Sequence, residues 1–231
     1  MAVRLIVRTF SELCITAGTV IVLFVVYVLH WTGVQAESAT AGQIATLERE
    51  WVERPVPGAA PSAPPSPKPY TTGRGIAVMY IPRLGEGWEW PVLEGTSAAV
   101  LKKGLGHYAA TARLGETGNF SVAGHRRTYG DPFKDFPRLR PGDAVVLTDG
   151  TTWFTYRIAT KPYRTVPTDV GVIDPVPRPL RKNAAAFDGP GRYLTLTTCE
   201  PEWGSSHRLI AWAHLDATRP VTQGKPPALA G

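Results

Sequence analysis

The sequence predicts a mostly β domain, a barrel or a sandwich, preceded by an apolar N-terminal helix. After Gly75 the apolar runs are short, and turn signals such as Pro141-Gly142-Asp143 separate them. This part of the sequence has no internal repeat and no long helical pattern. Near the N-terminus, Leu13–Trp31 carries no charge and approaches the roughly 20 residues that a helix needs to cross a bilayer.

We interpret Leu13–Trp31 as a membrane anchor. Two arginines precede it, and the next basic residue is Arg49, so the positive-inside rule places residues 1–12 in the cytoplasm and the rest outside. A cleaved signal peptide is the alternative, because Val34-Gln35-Ala36 resembles a cleavage site, although the apolar run exceeds a usual signal core. Both interpretations export the folded domain from the cytoplasm.

Segment 32–70 is predicted to be an extracytoplasmic stalk. Seven of the 16 residues in Arg54–Pro69 are proline, which favours a semi-stiff, partly polyproline spacer. Ser38–Trp51 could form a short helix within it. One face of that helix would carry Gln43, Ile44, Leu47 and Trp51. The folded domain then covers 71–220, and 221–231 is expected to be a flexible tail.

The domain is predicted to be built of short strands that are rich in β-branched and aromatic residues. The strands are expected near Ile76–Ile81, Trp90–Leu93, Phe120–Ala123, Ala144–Leu147, Trp153–Pro162, Tyr193–Cys199 and Arg208–Leu215. Short helical segments are expected at Ser97–Lys103 and Phe133–Leu139.

The net charge of the chain excludes few classes of function. The formal net charge is +6, and a mild basic excess is compatible with anionic partners. Because no aromatic-basic nucleic-acid motif accompanies it, we expect no nucleic-acid binding. An ordinary basic surface that faces an anionic cell envelope explains the excess.

Cys199 is the only cysteine outside the predicted membrane span, because Cys14 lies at the cytoplasmic edge of that span. An intrachain disulfide between them is therefore not expected, although exported domains often use disulfides. Chemistry is the leading explanation for a lone exported thiol.

Strand alternation places Cys199 relative to the core. If Phe120 and the leucines of the Cys199 strand face the core, His125 and Cys199 both point away from it. Arg208 begins the next strand after the loop 200–207, and an antiparallel hairpin would bring it beside Cys199.

A cysteine, a histidine and an arginine that converge outside a β core suggest acyl transfer. The thiolate attacks a carbonyl, the histidine moves the protons, and the arginine stabilises the oxyanion. The alternatives are an inert cysteine with a structural histidine, and a metal site that adds His207 and His214. Their spacing matches no standard zinc signature, so we expect no metal and no cofactor. His107 is expected in a groove or a loop.

Three segments resemble the signature motifs of sortases, the cell-wall cysteine transpeptidases of Gram-positive bacteria. They are Ala123-Gly124-His125-Arg126, Thr195-Leu196-Thr197-Thr198-Cys199 and Arg208-Leu209-Ile210. The order His, Cys, Arg also fits, and the resemblance covers roughly Ile76 to Asp216. Gly106-His107-Tyr108 and His125–Gly130 look most like the class E sortases of actinobacteria. NlpC/P60 hydrolases place Cys before His, and the Ser-His-Gly-Cys run of L,D-transpeptidases is absent.

The resemblance implies an eight-stranded sortase β-barrel with short helices. It assigns Cys199 as nucleophile, His125 as general acid/base and Arg208 as oxyanion or substrate stabiliser. It also implies substrate-binding roles for three further residues. Tyr108 matches a tyrosine linked to a preference for Ala at the second substrate position, Thr198 would line the oxyanion site through its backbone or hydroxyl, and Ala123 would lie beside them.

The activity implied is cleavage of a C-terminal Leu-Ala/Pro-x-Thr-Gly-type sorting signal between Thr and Gly, followed by transfer to a cell-wall precursor amine. The expected partners are surface proteins with that signal, a lipid-linked wall precursor and the membrane, and the enzyme is expected to be a monomer. A membrane-tethered binding module with an inert cysteine is the alternative. The loop Glu200–His207 departs from the class E pattern, because it is more acidic and contains Trp203.

Overall fold

A computed structural model describes residues 2–53 and 69–229. The described residues form two α-helices and nine strands, together with short 3-10 turns. The elements are α1 Ala2–Val52, β1 Gly75–Tyr80, β2 Glu89–Glu94, α2 Ala98–Leu101, β3 Leu105–His107, β4 Gly118–Ala123, β5 Ala144–Thr148, β6 Thr152–Ile158, β7 Tyr163–Thr165, β8 Arg192–Glu200 and β9 His207–Pro220.

Eight of the strands close into a mixed barrel. They follow the order β6-β5-β1-β2-β3-β4-β8-β9, and pairing of β6 with β9 closes the ring. The pairs β2–β3 and β4–β8 are parallel, whereas the others are antiparallel. The short strand β7 pairs with β9 outside the ring. The predicted mostly β, eight-stranded barrel is therefore confirmed.

Several predicted elements have different bounds. Strand β6 ends at Ile158, earlier than predicted, and the helix predicted at Phe133–Leu139 is a 3-10 turn over Phe136–Arg138. Proline at the start of that turn fixes φ but donates no hydrogen bond. The three-residue strands β3 and β7 were not predicted, because three residues are too few to establish an alternation.

The interior of the barrel is filled by the residues that alternation assigned to the core. Phe120 and Val122 of β4 pack there with Leu194 and Leu196 of β8 and with Ala211 of β9. A buried leucine typically contributes about 2–5 kcal/mol relative to alanine. This interior packing fixes which face of β4 and β8 points outward.

The outward face of β9 is covered by a second, smaller apolar cluster, in which Ile210 and Trp212 pack with Val172. Two side-chain hydrogen bonds hold the segment around Val172 in place. Trp212 Nε1 donates to the backbone oxygen of Val172 at 3.1 Å, and Asn119 Nδ2 donates to that of Asp174 at 3.0 Å. The segment that contains Val172 is thereby held over the sheet.

Helix α1 is long enough and apolar enough to cross a membrane over Ile6–Tyr27, where the mean hydropathy is 2.0. This composition is consistent with an anchor or a signal sequence. The expected short helix at Ser38–Trp51 is the C-terminal end of α1 rather than a separate element. The predicted face is the less exposed one, with Leu47 buried.

The end of α1 lies against the barrel, where Glu50 pairs with Arg74 at 2.5 Å. The proline-rich part of the predicted stalk, residues 54–68, lies outside the described residues. The boundaries of the stalk therefore stay a prediction.

Candidate active site

The ends of β4, β8 and β9 lie side by side and bring the three candidate catalytic residues into one row. In the parallel pair β4–β8, Ala123 is opposite Thr197, and in the antiparallel pair β8–β9, Cys199 is opposite Arg208. Cys199 follows Thr197 by two residues within β8 and so points outward. His125 follows Ala123 by two residues, in the turn after β4. Directly opposed Cβ atoms lie about 4.5–5.5 Å apart in an antiparallel pair. The predicted hairpin is therefore present, with Arg208 next to Cys199.

The thiol at this position is unpaired. Cys199 is a free, half-buried cysteine, and Cys14 is free and exposed on α1. Neither cysteine forms a disulfide in the described part of the chain. Cys199 is thus accessible from the outer face of the barrel.

His125 is half-buried in the turn that follows β4. Its ring packs against Tyr129 with a centroid separation of 5.2 Å. Burial, and secondarily the positive charge of Lys102, lower the pKa of His125 from 6.5. The imidazole is therefore neutral at neutral pH. Its Nε2 is buried and has no hydrogen-bond partner among the described residues.

The turn that carries His125 is packed closely against the barrel. A Cβ at Gly124 would lie 2.6 Å from the ring of Phe133, so only glycine fits at this close approach. The amide of Gly124 donates to the backbone oxygen of Thr197 at 3.1 Å, and the amide of Phe133 donates to that of His125 at the same distance. These contacts fix where the imidazole leaves the backbone.

Arg208 is held by its own hairpin. Its Nη1 donates to the backbone oxygens of Ser205 and His207, each at 2.9 Å. Nε and Nη2 have no protein acceptor within residues 2–53 and 69–229. These groups are free to donate to a bound molecule.

Arg208 lines a cleft of about 100 Å³ together with Tyr108 and Thr197. The hydroxyl groups of Tyr108 and Thr197 are 3.0 Å apart and share a hydrogen bond. The opposite wall comes from the segment 165–173. Its lining residues are Thr165, Val166, Pro167, Asp169, Val170, Val172 and Ile173.

The backbone of Tyr108 is connected through Thr111 to the buried side chains of His107 and Glu94. The hydroxyl of Thr111 donates to the backbone oxygen of Tyr108 at 2.8 Å and lies 3.1 Å from Nε2 of His107. His107 Nδ1 lies 2.7 Å from a carboxylate oxygen of Glu94, and both side chains are buried. The expectation for His107 was wrong, because it is buried at the end of β3, where its ring contacts Glu94.

Thr198 and Ala123 differ in their orientation. The hydroxyl of Thr198 donates to the backbone oxygen of Gly124 at 2.8 Å and is buried. Its proton is thus engaged on the face opposite Cys199, and a role of Thr198 at the oxyanion stays a prediction. Ala123 lies on the same face as Cys199, opposite Thr197, and is nearly buried.

Other contacts of the site were not foreseen. Arg126 pairs with Glu200 at 2.7 Å, directly beside both His125 and Cys199. The only sequence feature that pointed to Arg126 is its position directly after His125. No sequence feature indicated that residues 165–173 form a wall of the cleft.

The described residues contain no group of three or more potential metal ligands. His207 lies on the rim of the site, with Nδ1 3.2 Å from Arg164 and 3.0 Å from Ser206. His214 is exposed on β9. These two histidines do not converge with Cys199.

Residues 79–216 match the family model of the sortase domain. The chain belongs to the sortase family. Sortase SrtE1 of Streptomyces coelicolor is 38% identical over 229 residues, which cover 96% of this chain and 60% of that relative. The chain thus spans less than two thirds of the length of this curated relative.

Two solved structures of class E sortases are similar to this one. Sortase E of Streptomyces avermitilis is 72% identical with a TM-score of 0.63, covering 69% of this chain and 99% of that one. Sortase E1 of Streptomyces coelicolor, solved with a tripeptide in the active site, is 40% identical with a TM-score of 0.62, covering 68% and 97%. The resemblance to class E sortases is confirmed.

Proposed function

We propose that this sortase is a membrane-anchored transpeptidase that cleaves a C-terminal Leu-Ala/Pro-x-Thr-Gly-type signal between Thr and Gly. It then joins the cleaved protein to an amine of a cell-wall precursor. The observation that supports this best is that His125, Cys199 and Arg208 lie at the adjoining ends of β4, β8 and β9. A nucleophile, a proton carrier and an oxyanion donor are the groups that acyl transfer requires.

The first half of the reaction forms a thioester. Neutral His125 accepts the proton of the Cys199 thiol, and the sulfur attacks the carbonyl carbon of the substrate Thr. The bond from that carbon to the Gly nitrogen breaks, and the leaving amine takes the proton from the imidazolium. His125 is neutral again, and the substrate acyl group remains on sulfur.

The second half of the reaction transfers the acyl group. The incoming amine attacks the thioester carbonyl and loses a proton to His125. The sulfur leaves as a thiolate and recovers that proton from the imidazolium. The lowered pKa of His125 suits this cycle, because the cycle begins and ends with neutral imidazole.

Arg208 would stabilise the oxyanion that forms in both halves. Its Nη1 is engaged with the hairpin backbone, which holds the guanidinium of a residue that lines the cleft. Donors that are already oriented need no reorganisation when charge develops. Removing one such donor typically costs about 10²–10³ in kcat.

The sorting signal would bind in the cleft beside Tyr108. Sortase E1 of Streptomyces coelicolor has been solved with a tripeptide in its active site, and its similarity supports peptide binding in the corresponding cleft here. Tyr108 lines the cleft, and its hydroxyl shares a hydrogen bond with the hydroxyl of Thr197. We propose that its ring sets the preference at the second position of the signal.

The proposed organisation has the cytoplasmic segment 1–12, the anchor 13–31, the stalk 32–70, the catalytic domain 71–220 and the tail 221–231. The catalytic domain would act outside the membrane on surface proteins and on a lipid-linked wall precursor. An apolar helix at Ile6–Tyr27 is consistent with such an anchor.

The test uses the full chain in detergent, with Leu-Ala-x-Thr-Gly and Leu-Pro-x-Thr-Gly peptides and a glycine amine as acceptor. We expect cleavage between Thr and Gly, a peptide thioester on Cys199 by mass spectrometry, and no cleavage by Cys199→Ala. Cleavage by Cys199→Ala would refute the mechanism. Binding of either peptide without cleavage would instead favour a binding module with an inert cysteine.

A further inference from the structure

A buried arginine lies between the turn of the proposed base and the strand of the proposed nucleophile. Arg126 follows His125 directly, and its side chain is 8% exposed. Its Nη1 donates to a carboxylate oxygen of Glu200 at 2.7 Å and, over 3.4 Å, to the backbone oxygen of Cys199. Its Nε donates to the backbone oxygen of Lys134 at 3.2 Å. One guanidinium therefore joins three separate segments of the site.

We infer that Arg126 is a positioning residue that fixes the separation of His125 and Cys199, with Glu200 as its anchor. The inference rests on the proposed function, because it takes His125 and Cys199 as the reacting pair. Arg126 is buried, and its Nε and Nη1 donate to protein acceptors. Its effect would therefore pass through the two residues that it connects.

The end of the β4–β8 ladder explains why such a connection is needed. The last ladder pair is Ala123–Thr197, two residues before His125 and Cys199. Beyond it, Thr198 holds Gly124 through a hydrogen bond of 2.8 Å. Arg126 holds the other side of His125, so the catalytic turn is fixed before and after the imidazole.

The chemistry of the side chain also fits this role. Burying a guanidinium is costly unless it is paired and hydrogen-bonded, and here a carboxylate and two carbonyl oxygens receive its N–H groups. A planar guanidinium can donate to acceptors in several directions at fixed angles. A lysine would keep the charge but could not reproduce that geometry.

The kinetic test compares variants of the full chain in detergent. Because a misplacement of about 1 Å can cost 10²-fold in rate, we expect Arg126→Met to lower kcat about 100-fold with little change in KM. Arg126→Lys should lower kcat less. Arg157→Met is the matched control, because Arg157 also binds a carboxylate at 3.0 Å and a backbone oxygen at 3.3 Å, but at the far end of β6. It should keep wild-type kcat.

A second measurement separates positioning from folding. The folded fraction of each variant is measured by circular dichroism, and kcat is expressed per mole of folded protein. In folded Arg126→Met the low kcat should persist with KM little changed, and Arg126→Lys should recover part of the lost kcat.

Wild-type kcat per mole of folded protein in Arg126→Met would overturn the inference, as would equal losses of kcat in Arg126→Met and Arg157→Met. Failure of the proposed function is recognised separately, because Cys199→Ala would then still cleave the peptide.

Discussion

Cys199 and Arg208 are a directly opposed pair in the antiparallel ladder of β8 and β9. The side chain of Arg208 donates two hydrogen bonds to the connection between the strands, to the backbone oxygens of Ser205 and His207. Strand pairing thus places the two residues side by side on one face of the sheet. The proposed nucleophile and its oxyanion donor therefore start from neighbouring positions.

The first prediction concerns Arg208. We expect Arg208→Ala to lower kcat by about 10²–10³, because the oxyanion loses its donor. Arg208→Lys should recover only part of this, since a single ammonium cannot bind the hairpin backbone and the oxyanion together as a planar fork does. Steady-state peptide cleavage measures both. Full activity of Arg208→Lys would show that charge alone suffices.

The second prediction concerns the pKa of His125, which burial and Lys102 lower from 6.5. Lys102→Met should raise it, but not above 6.5, because burial is the larger cause. Neutral imidazole is the form that begins the proposed cycle, so the acidic limb of kcat/KM should move to higher pH. Carbon-13 NMR of the histidines, assigned with His125→Gln, gives the same pKa directly.

Lys103→Met is the matched control for this prediction. Lys103 is an exposed neighbour of Lys102 and is not among the causes of the shift. It should leave both the NMR midpoint and the acidic limb unchanged. A lower midpoint in Lys102→Met would contradict the electrostatic explanation.

The row of catalytic candidates could be predicted because its signals are local. Alternation in the Cys199 strand assigned Leu194 and Leu196 to the core, and a short loop made a hairpin with Arg208 the simplest connection. The structure confirms both features. The chain segment that carries Tyr108 was placed by family resemblance, and no periodicity in the sequence indicated that it lines the cleft.

The contacts that hold the site together depend on the tertiary fold and were not predictable. Arg126 and Glu200 are 74 positions apart, and a charged residue in a sequence does not indicate its partner. The cleft wall 165–173 is mostly irregular, and its position depends on Trp212 and Asn119. Alternation showed the outward face of β9 but could not show which segment covers it.

The third prediction concerns Tyr108, whose hydroxyl lies 3.0 Å from that of Thr197 in the cleft. We expect Tyr108→Ala to reduce the preference for Ala over Pro at the second substrate position by about tenfold, a typical value for one altered apolar contact. Tyr108→Phe keeps the ring and should keep the preference. The ratio of kcat/KM for the two peptides measures it, and an unchanged ratio in Tyr108→Ala would exclude this role.

The fourth prediction concerns the buried pair of Glu94 and His107, which are 4% and 1% exposed. Removing one partner of a buried hydrogen bond typically costs about 1–3 kcal/mol, because the remaining group is left unsatisfied. Glu94→Gln should therefore lower the free energy of unfolding by about that amount, measured by denaturant titration. Glu89→Gln, the same substitution at an exposed position of β2, should change it little.

The same substitution should also affect specificity. Because Thr111 joins His107 to the backbone of Tyr108, Glu94→Gln should weaken the preference for Ala at the second substrate position. Equal stability of the two variants would mean that the contact between Glu94 and His107 does not stabilise the fold.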